Sequence, residues 1–207
     1  MNKSFLLFDF DGVLTDSFQE AFTVTKLHRP WLTDEAYRDL FMGNVYEELE
    51  KKADLESYPV VEHTEDEFFA KYFELTKKLG VIPQMREIIP TLALSHQLSV
   101  VSSAYSYIIT EMLERENLLH HFSVILGSDI ETSKTKKIQM IFDRYGVNSS
   151  QTLFITDTAG DVKEARKLNV DSIAVTWGYH DALRLASVNP FALVHTPREL
   201  LETIQKR

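Results

Sequence analysis

The sequence predicts an α/β fold: a doubly wound parallel sheet with a helical segment inserted after its first strand. Three features predict it. Short apolar runs recur along the chain, stretches with helical periodicity separate them, and one long aromatic-rich stretch after the first run shows no strand pattern. Short buried strands alternating with helices imply a parallel sheet covered on both faces.

The elements follow in order. Phe5–Phe8 is an apolar run stopped by Asp-x-Asp-Gly and reads as a buried strand. From about Ser17 to Pro83 the pattern is helical, with stripes such as Phe68, Phe69, Tyr72, Phe73 and Leu75. This stretch holds 11 of the 23 aromatic residues, and 14 acidic against 8 basic residues. It reads as a cap over a site, built on an aromatic core of its own. The expected division is residues 1–16 with 84–207 as the sheet domain, and 17–83 as the helical cap. Further strands are predicted at Leu98–Val101, Ser123–Leu126, Thr152–Ile155 and Ser172–Val175. Helices are predicted between and after them, at Tyr107–Asn117, Lys136–Tyr145, Ala159–Leu168 and Leu183–Ser187. Sheets of this kind place their sites at the carboxyl ends of the strands.

Composition narrows the function. With 44% hydrophobic and 26% charged residues, the 207-residue chain has the make-up of a globular protein large enough for one good core and a smaller unit. The absence of cysteine excludes disulfides, thiolate metal sites and cysteine nucleophiles, and fits a reducing cytoplasm. No run reaches the about 7–15 apolar residues of a secretory signal or the about 20 of a membrane span. The net charge of −9 disfavours nucleic acid and anionic membrane as partners. An acidic chain handling phosphate needs a bound cation or a local Lys or Arg. The seven histidines show no zinc spacing.

Four places carry candidate chemistry. In Asp9-Phe10-Asp11-Gly12, residues two apart in an extended segment face the same way, so Asp9 and Asp11 can converge while Phe10 turns to the core. Two such carboxylates need a cation or a shared proton; the alternative is that they cap a turn. Ser102 and Ser103 end the second strand, where a hydroxyl and the following backbone N–H groups suit a phosphoryl oxygen or, alternatively, a helix cap. Asp157 ends the fourth strand and Asp161 falls in the next helical turn, where it serves a metal or the helix dipole. Three lysines, Lys134, Lys136 and Lys137, stand near the start of one helix. Projected from the buried stripe Ile138, Ile141, Phe142 and Tyr145 at about 100° per residue, Lys134 falls roughly 30° from the stripe's centre. Lys137 lies about 90° away, at the flank, and Lys136 about 170° away, towards solvent. Lys134 is therefore expected to face Asp9 and Asp157. One cation among three carboxylates, with Ser and Lys around it, describes a phosphoryl-transfer site.

The quartet in this order resembles the haloacid dehalogenase superfamily, in the branch with a small helical cap after the first strand. DFDGVLTDS is similar to the first family motif, Ser102 to the second, Lys134 to the third, and Asp157 with Asp161 to the fourth. The ending TWGYHDALRL…NPFALVHTPRELLETI is similar to the tails of phosphoglycolate-phosphatase-type members. Two departures occur: Thr156 precedes Asp157 where the family commonly has Gly, and Thr135 follows Lys134 where it commonly has Pro.

The resemblance implies a Rossmann-like core and a set of roles. Asp9 is implied as nucleophile and Asp11 as general acid and base. Mg²⁺ is implied as cofactor, held by the Asp9 carboxylate, the Asp11 backbone carbonyl and Asp157, with Asp161 in support. Ser102 and Lys134 are implied to bind the phosphoryl group, with Ser103 beside Ser102 as a further phosphate-binding candidate. Asn44 and Tyr46, in the stretch Phe41–Glu47, set specificity from the cap if that stretch is not simply a helix–helix turn. The implied activity is phosphatase action on a small phosphorylated metabolite, with a sugar phosphomutase of the beta-phosphoglucomutase type as the alternative. A non-catalytic phospho-acceptor or binding module is the remoter class. A cytoplasmic monomer or homodimer is expected.

Overall fold

The computed structural model describes residues 5–53, 61, 62 and 64–207; residues 1–4, 54–60 and 63 of the expected segments lie outside the described residues. Six strands form one parallel sheet in the order β3-β2-β1-β4-β5-β6. They are β1 Phe5–Phe8, β2 Gln97–Val101, β3 Phe122–Leu126, β4 Thr152–Thr156, β5 Asp171–Val175 and β6 Ala192–Val194. The first strand is central, and its four residues are buried, each contributing about 1.5–3 kcal/mol by leaving water.

Alternation along β1 divides the core. Leu6 and Phe8 join a large cluster with Ile89, Ile109 and Leu200. These come from helices α5 (Pro83–Ala93), α6 (Ser106–Arg115) and α10 (Pro197–Gln205). Phe5 and Leu7 face the opposite way and pack with Ile138, Ile141 and Ala165, from α7 (Lys134–Tyr145) and α8 (Ala159–Arg166). A short helix, α9 (Ala182–Ala186), precedes β6. Each face of the sheet thus has its own helical cover, as the strand and helix alternation predicts.

Register brings the strand ends level. Phe8 lies opposite Val100 of β2 and opposite Ile155 of β4, so the residues after β1, β2 and β4 emerge side by side. The order reverses between β1 and β4, the switch point at which such sheets open a crevice.

Between β1 and α5 stand four helices: α1 Phe18–His28, α2 Asp34–Leu40, α3 Val45–Ala53 and α4 Glu65–Thr76. Local chemistry fixes their starts. Thr33 accepts from the Ala36 N–H to cap α2, and Thr64 and Glu67 form a reciprocal capping box on α4. α1 packs on α4. The aromatic stripes serve two purposes rather than one. Phe69 stacks on Tyr105 beyond β2 at 4.0 Å, while Phe18 and Phe41 meet Tyr179, beyond β5, edge-on at 5.0 Å. Aromatic side chains therefore both fill the helical segment and hold it to the sheet unit. Among the described residues, no helix is long and apolar enough to cross a membrane.

Candidate active site

The pairing of β1 with β4 runs one residue past the strand: the Asp9 N–H donates to the Ile155 carbonyl at 2.9 Å. Phe10 is fully buried, and Gly12 then turns the chain at φ +73°. A side chain there would strain the backbone and stand 2.0 Å from Asp157 Oδ2. Gly178 crowds the same oxygen, its Cβ position lying 2.3 Å away. Asp157 thus sits in a slot between two glycines, where the Tyr179 N–H donates to its Oδ2 at 2.6 Å.

Lys134 is the hub. It is 4% exposed, and its Nζ donates to Asp9 Oδ2 at 2.5 Å and to Asp161 Oδ2 at 2.6 Å. The helix α7 begins at Lys134, two residues before the expected Lys136, because Ser133 caps it by accepting the Lys136 N–H. The helical projection consequently applies to Lys134, which points inward. Lys136 is exposed and pairs with Glu131 at 3.3 Å. Lys137 departs from the expected flank position. It is fully buried, and its Nζ donates to the Ser102 carbonyl, because the loop after β2 closes over that side of the helix.

The carboxylates differ in environment. Burial acts to raise Asp161, but Lys134 and hydrogen bonds, including one from Thr156 Oγ1 at 2.6 Å, hold it below its ordinary pKa. Burial carries Asp9 well above the usual range; Lys134 opposes this, while Asp161 and Asp157 add to it. Burial also raises Asp157, to about 7, against the Tyr179 N–H. Asp11 turns away from this cluster: its Oδ1 accepts from Ser17 Oγ at 2.5 Å and from the Tyr72 hydroxyl. Burial raises its pKa, and the hydrogen bonds from Ser17 and Tyr72 oppose the shift.

The three-carboxylate metal cluster expected from the sequence is not formed as such. Among the described residues, no three Asp, Glu or His side chains gather as a metal-holding group. The Asp161 carboxylate is engaged by Lys134 and Thr156, and that of Asp11 by Ser17 and Tyr72. Asp9 is engaged as well, by Lys134 on Oδ2 and by the Phe10 N–H on Oδ1 at 2.7 Å; the exception is Asp157, whose Oδ1 is buried with no hydrogen-bond partner among the described residues. A buried carboxylate oxygen with no donor is costly. A cation held by two carboxylates, with backbone or solvent oxygen completing its shell, suits Mg²⁺, which is commonly bound by one or two carboxylates.

These groups line a cavity of about 310 Å³ that extends under the helical segment, within the range of small-molecule sites. Six of its lining residues are acidic, and two, Lys134 and Arg29, are cationic. Ser103 and Ala104 form its wall at the end of β2. Ser102 lies behind them, buried, with its Oγ accepting the Ala104 N–H at 3.1 Å. Asn44 and Tyr46 also line it. Asn44 Nδ2 donates to Glu164 Oε2 at 3.2 Å, and the Tyr46 hydroxyl donates to the Ser103 carbonyl at 3.1 Å.

The helical segment rests directly on α8. The Gly160 N–H donates to the Phe41 carbonyl at 2.8 Å, and a Cβ on Gly160 would lie 2.1 Å from the Gly43 carbonyl oxygen. His180 ties three pieces together. Its Nδ1 accepts the Ala159 N–H at 3.0 Å, so its Nε2 carries the proton and donates to the Arg38 carbonyl at 2.8 Å.

Sequence reasoning assigned no role to Ser17, Tyr72, Thr156, Lys137 or Tyr179. Ser17 and Thr156 were at hand, inside the quoted motifs. Tyr72 stood in an apolar stripe, where a single hydroxyl carries no spacing signal, and Tyr179 acts through its backbone N–H, which every residue but proline possesses.

Residues 6–175 match the model of a family described as haloacid dehalogenase-like hydrolase. The chain is 26% identical over 208 residues to the phosphoglycolate phosphatase of Synechococcus elongatus, and the alignment covers 96% of each. A predicted phosphatase from Clostridium acetobutylicum superposes with a TM-score of 0.76 at 20% identity, covering 100% of both chains. CbbY from Rhodobacter sphaeroides, solved with xylulose-1,5-bisphosphate, superposes with a TM-score of 0.78 at 14% identity, covering 97% of this chain and 96% of that one.

Proposed function

This chain belongs to the haloacid dehalogenase-like hydrolases, and on that premise we propose a Mg²⁺-dependent phosphatase that uses Asp9 as nucleophile on a small phosphomonoester. One observation carries the reading. Asp9 ends the central strand with Lys134 on one oxygen, beside an Asp157 whose Oδ1 lacks a donor.

In this reading the Asp9 carboxylate attacks phosphorus and the ester oxygen leaves with a proton from Asp11, forming an aspartyl-phosphate. Asp11 then takes a proton from water, whose oxygen attacks the same phosphorus. Phosphate departs and Asp9 is regenerated. Both hydrogen bonds to Asp11 are to Oδ1, which leaves Oδ2 to carry the proton, and burial favours its protonated form. Lys134 supplies a fixed positive charge to Asp9 and to the phosphoryl oxygens. Ser102, whose Oγ already accepts from Ala104, keeps its O–H to donate to a phosphoryl oxygen, with Ser103 beside it. Asp9, Asp157 and the Asp11 backbone carbonyl would hold Mg²⁺, which when bound neutralises charge on the phosphoryl group.

The relative named for phosphoglycolate supports a phosphorylated carboxylic acid as the substrate class. The helical segment, residues 17–83 in our division, acts as a lid, with Asn44 and Tyr46 at the substrate's far side.

The test is phosphate release from a generic aryl phosphate by purified protein. With Mg²⁺ we expect turnover that falls by at least about a hundredfold on chelation and returns on re-addition. Undiminished activity after rigorous chelation would overturn the reading.

A further inference from the structure

Helix α1 carries Ala21 and Thr25, and its C-cap is Arg29. The four-residue spacing puts Ala21 and Thr25 on one face, and both line the cavity together with Arg29, where the backbone has left the helix at φ −136° and ψ 73°. The two ends of this face differ. Its start adjoins the acids, since Ser17, just before α1, donates to Asp11 Oδ1 at 2.5 Å. Arg29 stands twelve residues further on, about 18 Å along the helix axis.

Arg29 is half-buried, and no carboxylate among the described residues pairs with it. Burial lowers its pKa. Elsewhere in the molecule Arg38, Arg86, Arg115, Arg184, Arg198 and Arg207 each hold a carboxylate. Arg144 and Arg166 likewise pair with no carboxylate among the described residues, but neither lines the cavity, so in a chain of 31 acidic and 22 basic residues the placing of Arg29 is a distinct feature. A cation at a helix C-terminus complements the carbonyl end. That explains the charge at this place but not its position on the cavity wall. Besides the acids, which include Glu65 and Glu164, the walls carry the uncharged side chains of Ala21, Val45, Leu49 and Phe68.

We propose that Arg29 is a specificity-determining residue that receives a second anionic group, carboxylate or phosphate, at the end of the substrate remote from the transferred phosphoryl group. The planar guanidinium fork matches either anion with two parallel hydrogen bonds. The inference rests on reading this cavity as a phosphatase site. It deepens that reading by making the preferred substrate doubly anionic, with its second charge at the end remote from the transferred phosphoryl group.

The experiment compares short linear phosphomonoesters of graded length, each with a neutral hydroxyl, a carboxylate or a second phosphate at the remote end. At the best length, the anionic ends should raise kcat/KM about tenfold or more over the neutral end, mainly through KM. Arg29→Met should collapse that ratio towards one, and Arg29→Lys should restore part of it. The ratio cancels any loss common to all substrates, and the two anionic arms show which group is taken. A wild type without the preference, or an Arg29→Met variant that keeps it, overturns the proposal. If the protein hydrolyses none of these esters and no aryl phosphate, the phosphatase reading fails. The same ligands titrated calorimetrically into Asp9→Asn protein then decide the inference by themselves: tighter binding of the anionic ends, lost in the Asp9→Asn, Arg29→Met double variant, supports it, and equal affinities overturn it.

Discussion

The carboxyl edge of the sheet and the helical segment above it position their side chains by different means. At the edge, backbone register sets the site. Phe8 is level with Val100 and Ile155, so Asp9, Ser102 and Asp157 emerge together whatever their side chains touch. Above it, individual contacts set the site: Tyr46 on the Ser103 carbonyl, Asn44 on Glu164, and Phe69 on Tyr105. A site carried by register tolerates little, because its groups are buried and mutually charged. A site carried by scattered contacts can be retuned one residue at a time. The chemistry is therefore expected at the edge and the selectivity above it.

The largest expected effect tests the edge. Lys134→Ala leaves Asp9 and Asp161 buried without their cation, a change that typically costs about 3–5 kcal/mol when a buried pair is broken. Denaturant titration should show a loss of that order, and turnover should fall by at least about a hundredfold. Lys136→Ala removes only an exposed pair and should stay within about 0.5 kcal/mol of wild type. A crippled Lys136→Ala beside a normal Lys134→Ala would reverse the assignment.

A smaller effect concerns Lys137. Burial and the like charge of Lys134 lower its pKa to about 8, from an unfolded value of 10.5. The unfolded chain then binds this proton more tightly, so stability rises with pH across that interval. The cost of the buried charge is present in full below about pH 8 and is relieved as pH climbs towards 10.5. Lys137→Met lacks the titration. Its stability relative to wild type should therefore decline between pH 8 and 10, by up to about 2 kcal/mol. Parallel stability curves would show that the lysine titrates normally.

The smallest effect tests the helical segment. Tyr46→Phe removes a hydroxyl from the Ser103 carbonyl, worth about 0.5–1.5 kcal/mol. Tyr46→Phe and Asn44→Ala should shift preference among phosphorylated metabolites more than they slow a generic aryl ester. Equal losses on every substrate would erase the division of labour between the two regions.

The same difference explains what was legible in the sequence. Five strands could be read from their apolar runs, and alternation placed Phe10 in the core between Asp9 and Asp11. Helical periodicity placed Lys134 inward and Lys136 outward. β6 escaped, because three residues at a sheet edge carry almost no pattern. So did α5, which contains Pro90, and α10, although Thr196 caps it and Pro197 opens it. Within the site, the missed partners are long-range. Tyr72 reaches Asp11 across 61 positions and Lys137 reaches Ser102 across 35. Such pairings depend on how helices dock, which no local spacing encodes. Arg29 is of the same kind, since only the assembled cavity shows it on the wall with no carboxylate paired to it among the described residues.

The central claim is that Asp9 itself takes the phosphoryl group, and it can be tested at that one atom. Protein mixed with substrate and Mg²⁺, quenched in acid within a turnover and reduced with borohydride, converts an acyl phosphate into the corresponding alcohol. Peptide mass spectrometry should then find homoserine in place of aspartate at position 9, in amounts that follow the progress of the reaction, and at no other acid. Product formed with Asp9 unmodified at every quench time, or homoserine at Asp11 or Asp157 instead, would contradict the account.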